Sequence, residues 1–557
     1  MSDGKLKEEE LLAQLAKLSA LVEERDAKLE EQNAKLEERN AKLEETAAKL
    51  ERYERLVERM QEQLKSVLAQ KYGRSSEKLT AEELGQLVLA WGGDPEQTDP
   101  KLPHDDTDDA EPPGDEQPKS SKKGRYRNGH PGRSPLGEDL ERIVHEHAVP
   151  DDERACEHCG VEMTCIKHVD HERVEYVPAK LVVHVDRREV LACKEDDCEG
   201  EAVTADRGAP AAPRCRIGHS LAAHLIEAKC QDGMPVERQR NQLGRLGFDV
   251  APETLYAVWN RSLDKLRIVG DALLGEILAE WYVQLDDTRL DVLDRNHKNG
   301  KQRGHLWCFV GASRKVGYHF TETWTADEIA PVLFQIDGFA QTDDWPTYDS
   351  QVKDEHGKLR KLIDPDRRLG CGMHTRRKFY EDKKLGGKGS AAALVYWKQL
   401  YEVEAYAKKK GLDPGARHEL RQEKSVPIMT AFDAWVDEQL PITRPTSRLG
   451  KALKYAQKQR PYLHRCLTDG RFEIDNGNPE RQIRRPAVGR KNWLFTGSAN
   501  GGRRLATAHS LVQTCIALDI PVAAYLTDVL TKIDAGWSTR RLSELLPARW
   551  NELHRRG

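Results

Sequence analysis

The most regular pattern in the chain is a seven-residue repeat, AKLEEQN-AKLEERN-AKLEETA-AKLERYE, which puts Leu29, Leu36, Leu43 and Leu50 at one heptad position. Leucines at that spacing form a seam along one side of a helix, and a second helix buries it. With the leucines at d, Asn33, Asn40 and Ala47 fall at a. A buried Asn there costs stability but favours a parallel, in-register pair. The segment from Leu11 to about Leu68 is therefore expected to be a coiled coil that joins copies of the chain.

The pattern then breaks. Between Asp94 and Gln117 lie ten acids, one lysine and five prolines, too little apolar surface to offset chain entropy, so a disordered linker is expected. A basic arm follows, with Lys119, Lys122, Lys123, Arg125, Arg127 and Arg133, suited either to a phosphate backbone or to solvent. Further on, Cys156-x2-Cys159 and Cys193-x4-Cys198 flank an alternating stretch, VEYVPAKLVVHVDRREVLAC, that reads as strands. Two thiolate pairs on adjacent hairpin turns can close a tetrahedral structural zinc site, with His158 and Cys165 as competing ligands. From Gly218 to about Val269 the period becomes helical, with a turn near Gly247 and a helix from Pro252, compatible with a helix-turn-helix or an ordinary helical hairpin.

Three later segments carry candidate chemistry. WYVQLDD, Trp281 to Asp287, reads as a buried strand ending in two acids. GHLWCFVGASRKVGYHFTETW reads as a hairpin, and FQIDGFAQTDDW leads apolar residues into a second acid pair at Asp343. An acid on the first strand, a hairpin, then an acid after a later strand is the order a ribonuclease-H-like nuclease core requires. Adjacent carboxylates repel, so they are stable beside a divalent cation or with one protonated. Magnesium takes hard oxygen ligands, and a pair of ions can activate the attacking oxygen and stabilise the leaving one in phosphodiester chemistry. The third acid is Glu480, after a turn rich in Asn, Gly and Pro, with Asn478 placed to cap a helix and Pro479 at its first position. Between Arg481 and Arg504 lie seven bases and no acid: Arg481, Arg484, Arg485, Arg490, Lys491, Arg503 and Arg504. Such a surround suits a phosphate-rich ligand; the alternative is a Glu480–Arg484 pair on a solvated helix. His374, Arg376, Arg377 and Lys378 start another helix and either hold DNA phosphate or face water.

The runs YGRSSEKL, CEHCG, LDDTRLDVL, AQTDDWPTYD, CGMHTRRKFYE and EIDNGNPERQIRRPAVGRKNWLFTGSANGG together resemble, in order, the large transposase of the insertion sequence 66 family. The resemblance implies a DDE triad, carried onto Asp286, Asp343 and Glu480 as catalytic residues and magnesium (or manganese) ligands. It also implies the N-terminal zipper and the zinc-binding region. Three departures stand out: Asp286-Asp287-Thr288 where the family has Asp-Glu-Thr, Asp344-Trp345 in place of Gly-Tyr, and DNGNPER in the last motif. None removes a carboxylate.

The expected fold is α/β: a ribonuclease-H-like catalytic core with a helical insertion, preceded by a coiled coil, a zinc-ribbon-like module and a helical domain. The expected divisions are 1–73 coiled coil, 74–135 linker and basic arm, 136–210 zinc-ribbon-like, 211–275 helical, 276–505 catalytic with the insertion at about 381–467, and 506–557 a helical tail. The expected activity is cleavage of element ends and their joining to target DNA, against a nuclease that only hydrolyses or an inactive DNA-binding relic. The expected partners are DNA, a second or further copy of the chain, and accessory proteins of the element. Composition adds limits. At 557 residues several domains are expected. No apolar run approaches a membrane span, so a cytoplasmic, nucleoid-associated protein is expected. Eleven cysteines, an odd number, favour reduced thiols or metal over a disulfide scaffold. The net charge of −5 averages segments of opposite sign.

Overall fold

The computed structural model describes residues 216–555 apart from 295, 296, 385, 386 and 388, together with parts of 180–191, 203–204 and scattered positions between 17 and 44. Those scattered positions are helical and exposed, Leu36 among them. The acidic linker, the basic arm and the four zinc-ligand candidates Cys156, Cys159, Cys193 and Cys198 lie outside the described residues. Val190–Leu191 pairs antiparallel with Val203–Thr204.

From His219 onward the chain builds three helices and then a mixed sheet. The helices are α1 (His219–Cys230), α2 (Val236–Arg245) and α3 (Pro252–Leu278). In α3, Leu255, Val258, Leu263, Leu266, Val269, Leu273 and Ile277 recur at helical spacing and are all buried. That stripe fixes which face of the helix packs inward. Gly270 lets α3 approach a later helix closely, since a Cβ there would meet Thr507 at 3.0 Å.

The sheet has five strands: β1 (Tyr282–Leu293), β2 (Lys301–Gly311), β3 (Val316–Thr321), β4 (Phe339–Gln341) and β5 (Arg368–Leu369). Their spatial order is 3-2-1-4-5. The β1–β2–β3 meander is antiparallel, whereas β4 runs parallel to β1, and β5 parallel to β4. Between β3 and β4 the chain crosses through α4 (Ala326–Leu333). This corrects the sequence expectation around Phe334, where the apolar run belongs to the end of α4 and a turn, leaving a short strand. The first acid pair also lies within its strand rather than at its end: β1 continues to Leu293 because its antiparallel partner β2 runs the full length. Only the parallel pairing stops early, at Gln284.

After β5 come α5 (Gly372–Lys384), α6 (Ala391–Lys409), α7 (Pro414–Leu420), α8 (Val426–Ile442) and α9 (Arg448–Arg465). These helices bury a core of their own around Phe379, Trp397, Phe432, Trp435 and Leu453. The chain returns through α10 (Gly477–Trp493) and α11 (Ala499–Ala517). The free edge of β3 is closed by α11: Val316 N–H donates to Thr514 Oγ1 at 2.9 Å and Tyr318 N–H to Ser510 Oγ at 2.7 Å. A strand edge satisfied by side chains offers no template for another chain. Two further helices, α12 (Val522–Asp534) and α13 (Pro547–Arg555), end the chain. No helix among the described residues is long and apolar enough to cross a membrane.

Candidate active site

The register of the two parallel strands brings the first two acids together. Gln284 of β1 stands beside Gln341 of β4, and Asp286 and Asp343 each lie two residues further on. Asp286 continues β1 and Asp343 lies in the loop just past the end of β4, close enough for the charge of Asp343 to act on Asp286. A buried amide network fixes this register. Gln284 Nε2 donates to Gln341 Oε1 at 2.7 Å and to the Asp475 carbonyl at 2.8 Å. Gln341 Nε2 donates to the carbonyls of Gly370 and Glu473 at 2.8 and 2.9 Å. Tyr282 adds its hydroxyl to Gln341 Oε1.

The same network places the third acid. Asn478 Nδ2 donates to Gln284 Oε1 at 2.6 Å, and Asn476 Nδ2 to the Leu285 carbonyl at 2.7 Å. Both amides therefore pin the start of α10 to β1, and Glu480 lies in its first turn. Asn478 does not cap the helix as its position suggests. The helix starts at Gly477, after Asn476, and no side chain caps it; the Asn478 amide is used on the strand instead.

Burial pushes the Asp286 carboxyl well above the usual carboxylate range, and the charge of Asp343 pushes it further, with smaller contributions from Asp287 and Glu480. Asp343 is also raised by burial, although His374, the Trp345 N–H and Arg368 pull against that. Burial lowers His374, and the charges of Asp343 and Glu480 oppose it. The four side chains thus act on one another through a partly dry space. Glu480 faces Arg377, at 3.4 Å to each carboxylate oxygen, and His374 Nε2, at 3.5 Å. Its neighbour is across the fold on α5, not Arg484 one turn along its own helix.

The two doubled acids divide their work. Asp287 has both oxygens engaged: His305 Nδ1 lies 2.5 Å from Oδ2, and Trp324 Nε1 donates to Oδ1 at 3.2 Å. Asp344 Oδ1 accepts from Lys458 Nζ and from Gln459 Nε2, each at 2.8 Å. Asp287 and Asp344 are thereby tied to side-chain donors, whereas Asp286 and Asp343 accept backbone N–H groups, from Asp287 at 2.8 Å and from Trp345 at 3.2 Å. Arg368, fully buried, braces the second loop by donating to the Asp343 carbonyl at 2.8 Å and to Thr342 Oγ1 at 3.1 Å.

The basic candidates scatter. Arg377 and His374 point at Glu480, while Arg376 lies over the Tyr380 ring and Lys378 over Tyr455. On α10, Arg481, Arg484 and Lys491 are exposed. Arg485 turns inward to Gln513 Oε1 at 2.7 Å, and Arg490 is half-buried. Sequence reasoning missed Gln284, Gln341, Arg368, His305 and Trp324. The Gln residues carried one available signal, since each is a polar residue two places before an acid in an otherwise apolar strand.

Among the described residues, no three His, Cys, Asp or Glu side chains are drawn into metal-ligating distance of one another. The donor set nevertheless fits a hard divalent cation: three carboxylates, of which the two aspartates are raised by burial and have no cation at ion-pair distance among the described residues.

A mixed sheet with one acid on β1, a second just past β4 and a third at the start of a basic helix defines an α/β protein with a cluster of acids beside its parallel strands. The comparisons with known proteins narrow the class. Family models match over residues 214–504, described as Transposase IS66 family, over 510–548, described as IS66 C-terminal element, and over 59–144, described as Transposase C of IS166 homeodomain. The uncharacterized protein y4qI of Sinorhizobium fredii is 33% identical over 432 residues, covering 74% of this chain and 76% of that protein. The uncharacterized protein y4jD of the same organism is 30% identical, covering 71% and 78%. The chain belongs to the IS66 transposase family.

Proposed function

We propose that this protein is a DNA transposase with a ribonuclease-H-like core, in which Asp286, Asp343 and Glu480 hold divalent metal, magnesium or manganese, for phosphodiester cleavage and strand transfer. The observation that carries the reading is the parallel pairing of Gln284 with Gln341, two residues before Asp286 and Asp343, with α10 pinned to the same strand. The strand order 3-2-1-4-5 supports the fold assignment. Bound metal would supply charge to activate an attacking oxygen and to stabilise the leaving one.

The chain's own residues prepare that chemistry. Gln284, Gln341 and Asn478 hold the three acid-bearing segments in fixed relation, and Arg368 keeps the Asp343 backbone from retreating. Arg377 offsets the charge of Glu480, with His374 Nε2 beside it at 3.5 Å, and a phosphate entering the site gives Arg377 an alternative anion. The exposed bases on α10, with His374, Arg376, Arg377 and Lys378, are the proposed DNA contacts. The heptad repeat is proposed to pair two copies and so bring two DNA ends together; the four cysteines are proposed to hold zinc.

The test is supercoiled plasmid carrying the element's ends, incubated with full-length protein and magnesium. Joined products support strand transfer, whereas nicks alone favour a hydrolytic nuclease. Asp343→Asn should retain DNA binding and lose cleavage by about a thousandfold or more, because metal charge stabilisation is worth several kcal/mol and each 1.36 kcal/mol is tenfold in rate. Cleavage that survives in Asp343→Asn would remove the assignment.

A further inference from the structure

Beside the acidic edge stands a stack of aromatic rings that metal chemistry does not require. The Trp324 ring lies 5.0 Å from that of His305, at an interplanar angle of 3°, and 5.1 Å from that of Trp345, at 18°. Trp345 in turn packs against Trp307 at 5.4 Å and meets Tyr348 edge-on at 5.2 Å. Trp345, Trp307 and Tyr348 are buried, but Trp324 remains 47% exposed. Half of the largest side chain is thus left in water on a base of rings that cannot move aside.

The segment carrying Trp324 is held in place at several points. Glu328 accepts the N–H groups of Glu322 and Thr323 at 2.5 and 2.7 Å, and Arg503 pairs with Glu322 at 2.6 Å. Asp287 receives the Trp324 indole N–H on one oxygen and sits against His305 on the other. A lone exposed tryptophan needs no explanation; one propped by a carboxylate, a histidine and a second tryptophan has its orientation fixed, and keeping that orientation in water gains the free protein little. The stack adjoins the site through the backbone, since the Asp286 and Asp287 side chains alternate to opposite faces of β1. Asp287 adjoins Asp286 in β1, and the Trp345 N–H donates to Asp343 Oδ1 at 3.2 Å.

We propose that Trp324 is a stacking platform for an unpaired nucleobase next to the phosphate being cleaved, with Asp287 and His305 as its positioning residues. The proposal rests on the DNA-cleaving reading above. Where the duplex opens beside a phosphate held at these carboxylates, an unstacked base loses a few kcal/mol unless another π-face receives it. Every base has such a face, so aromatic stacking works without sequence preference. A nucleobase is the planar group nearest a DNA phosphate that an exposed ring can stack on, which is why the proposal commits to it.

The experiment uses full-length protein in calcium with two DNA duplexes, one fully paired and one ending in a short unpaired tail that contains 2-aminopurine. With the unaltered protein, the tail's fluorescence should be quenched on binding. Trp324→Ala should lose the quenching and bind the tailed duplex about 5- to 100-fold more weakly, while its affinity for the paired duplex stays within about twofold. Trp324→Phe keeps a π-face and should retain most of both signals. Unchanged quenching and affinity in Trp324→Ala would overturn the proposal, as would an equal loss on both duplexes or no rescue by Phe. Asp343→Asn separates the two claims, because it should keep the quenching while losing cleavage. If it cleaves normally, the catalytic assignment fails, and the fluorescence of Trp324→Ala still decides the platform.

Discussion

Two regions of this protein bury carboxylates, and they treat them in opposite ways. In the helical segment between β5 and α10, Glu404 is pushed upward by burial, yet Arg421 and Arg417 outweigh that and hold it below the usual range. Its oxygens accept from Arg421 Nε at 2.7 Å and from an Arg417 terminal nitrogen at 2.6 Å. At the sheet edge, burial likewise pushes up Asp286, but the next contribution is the charge of Asp343, which adds to the strain. A buried charge with well-formed partners is a structural joint, whereas buried like charges held together cost stability and mark a place for a ligand cation. The comparison separates an acid that arginines hold in place from acids that burial and like charge leave raised.

The sharpest way to break that contrast is to neutralise the joint. Glu404→Gln leaves Arg421, whose side chain is fully buried, without its carboxylate, and should cost about 3–5 kcal/mol in urea unfolding. A loss below about 1 kcal/mol would show that the carbonyls of Cys466, Asp469 and Phe472, which Arg421 also reaches, suffice to hold it. The converse test adds the missing charge at the other region. Magnesium at about a hundred times its dissociation constant should raise stability by about 2.7 kcal/mol, and both Asp286→Asn and Asp343→Asn should lose most of that gain. Equal stabilisation of both variants by magnesium would place the ion elsewhere.

A third prediction concerns a buried base behind the sheet. His509 on α11 is held down to about 3, first by burial and then by Lys229 and Arg485. Its folded pKa lies below the unfolded value of about 6.5, so the native state refuses a proton that the unfolded chain accepts. Stability is therefore complete above about pH 6.5 and falls as pH drops towards 3. At pH 5 the loss is about 2 kcal/mol. His509→Phe, which still packs against Tyr318, should flatten the pH 5 to pH 7 difference in thermal unfolding.

What the sequence discloses and what it hides divide along the range of the contacts. The apolar run before Asp286 and the Asn-Gly-Asn-Pro turn before Glu480 are local signals that mark a strand and a helix start, although β1 runs on past its acids and the run before Asp343 is mostly helix end and turn. Which aspartate of each pair is held by protein donors is not local. Asp287 finds His305 and Trp324 because β2 and β3 fold back over β1, and Asp344 finds Lys458 and Gln459 more than a hundred residues away. The extension of β1 past its acids depends on β2 in the same way. Asn478 shows the limit most clearly: its position suits a cap, but a strand almost two hundred residues upstream offers Gln284, and the amide goes there.

The smallest expected effect is also the most direct reading of the site acids, because it needs neither metal nor DNA. Asp286 is raised in the folded state, so the native protein holds that proton more tightly than the unfolded chain does. The stability this provides is complete below the unfolded value of about 3.9 and is lost as pH climbs through the folded value. Above it, the unaltered protein in chelator carries repelling buried carboxylates. Asp286→Asn has no charge to lose, so its unfolding temperature should decline less between pH 5 and pH 8, and at pH 8 the variant should be the more stable by on the order of 1 kcal/mol, as for other substitutions that trade function for stability. The same substitution at Glu404 must act in the opposite direction at every pH above its depressed range, because there the charge is what the arginines need. If Asp286→Asn instead weakens the chelated protein at pH 8, the sheet-edge aspartate is a structural joint like Glu404, and the distinction between the two regions collapses.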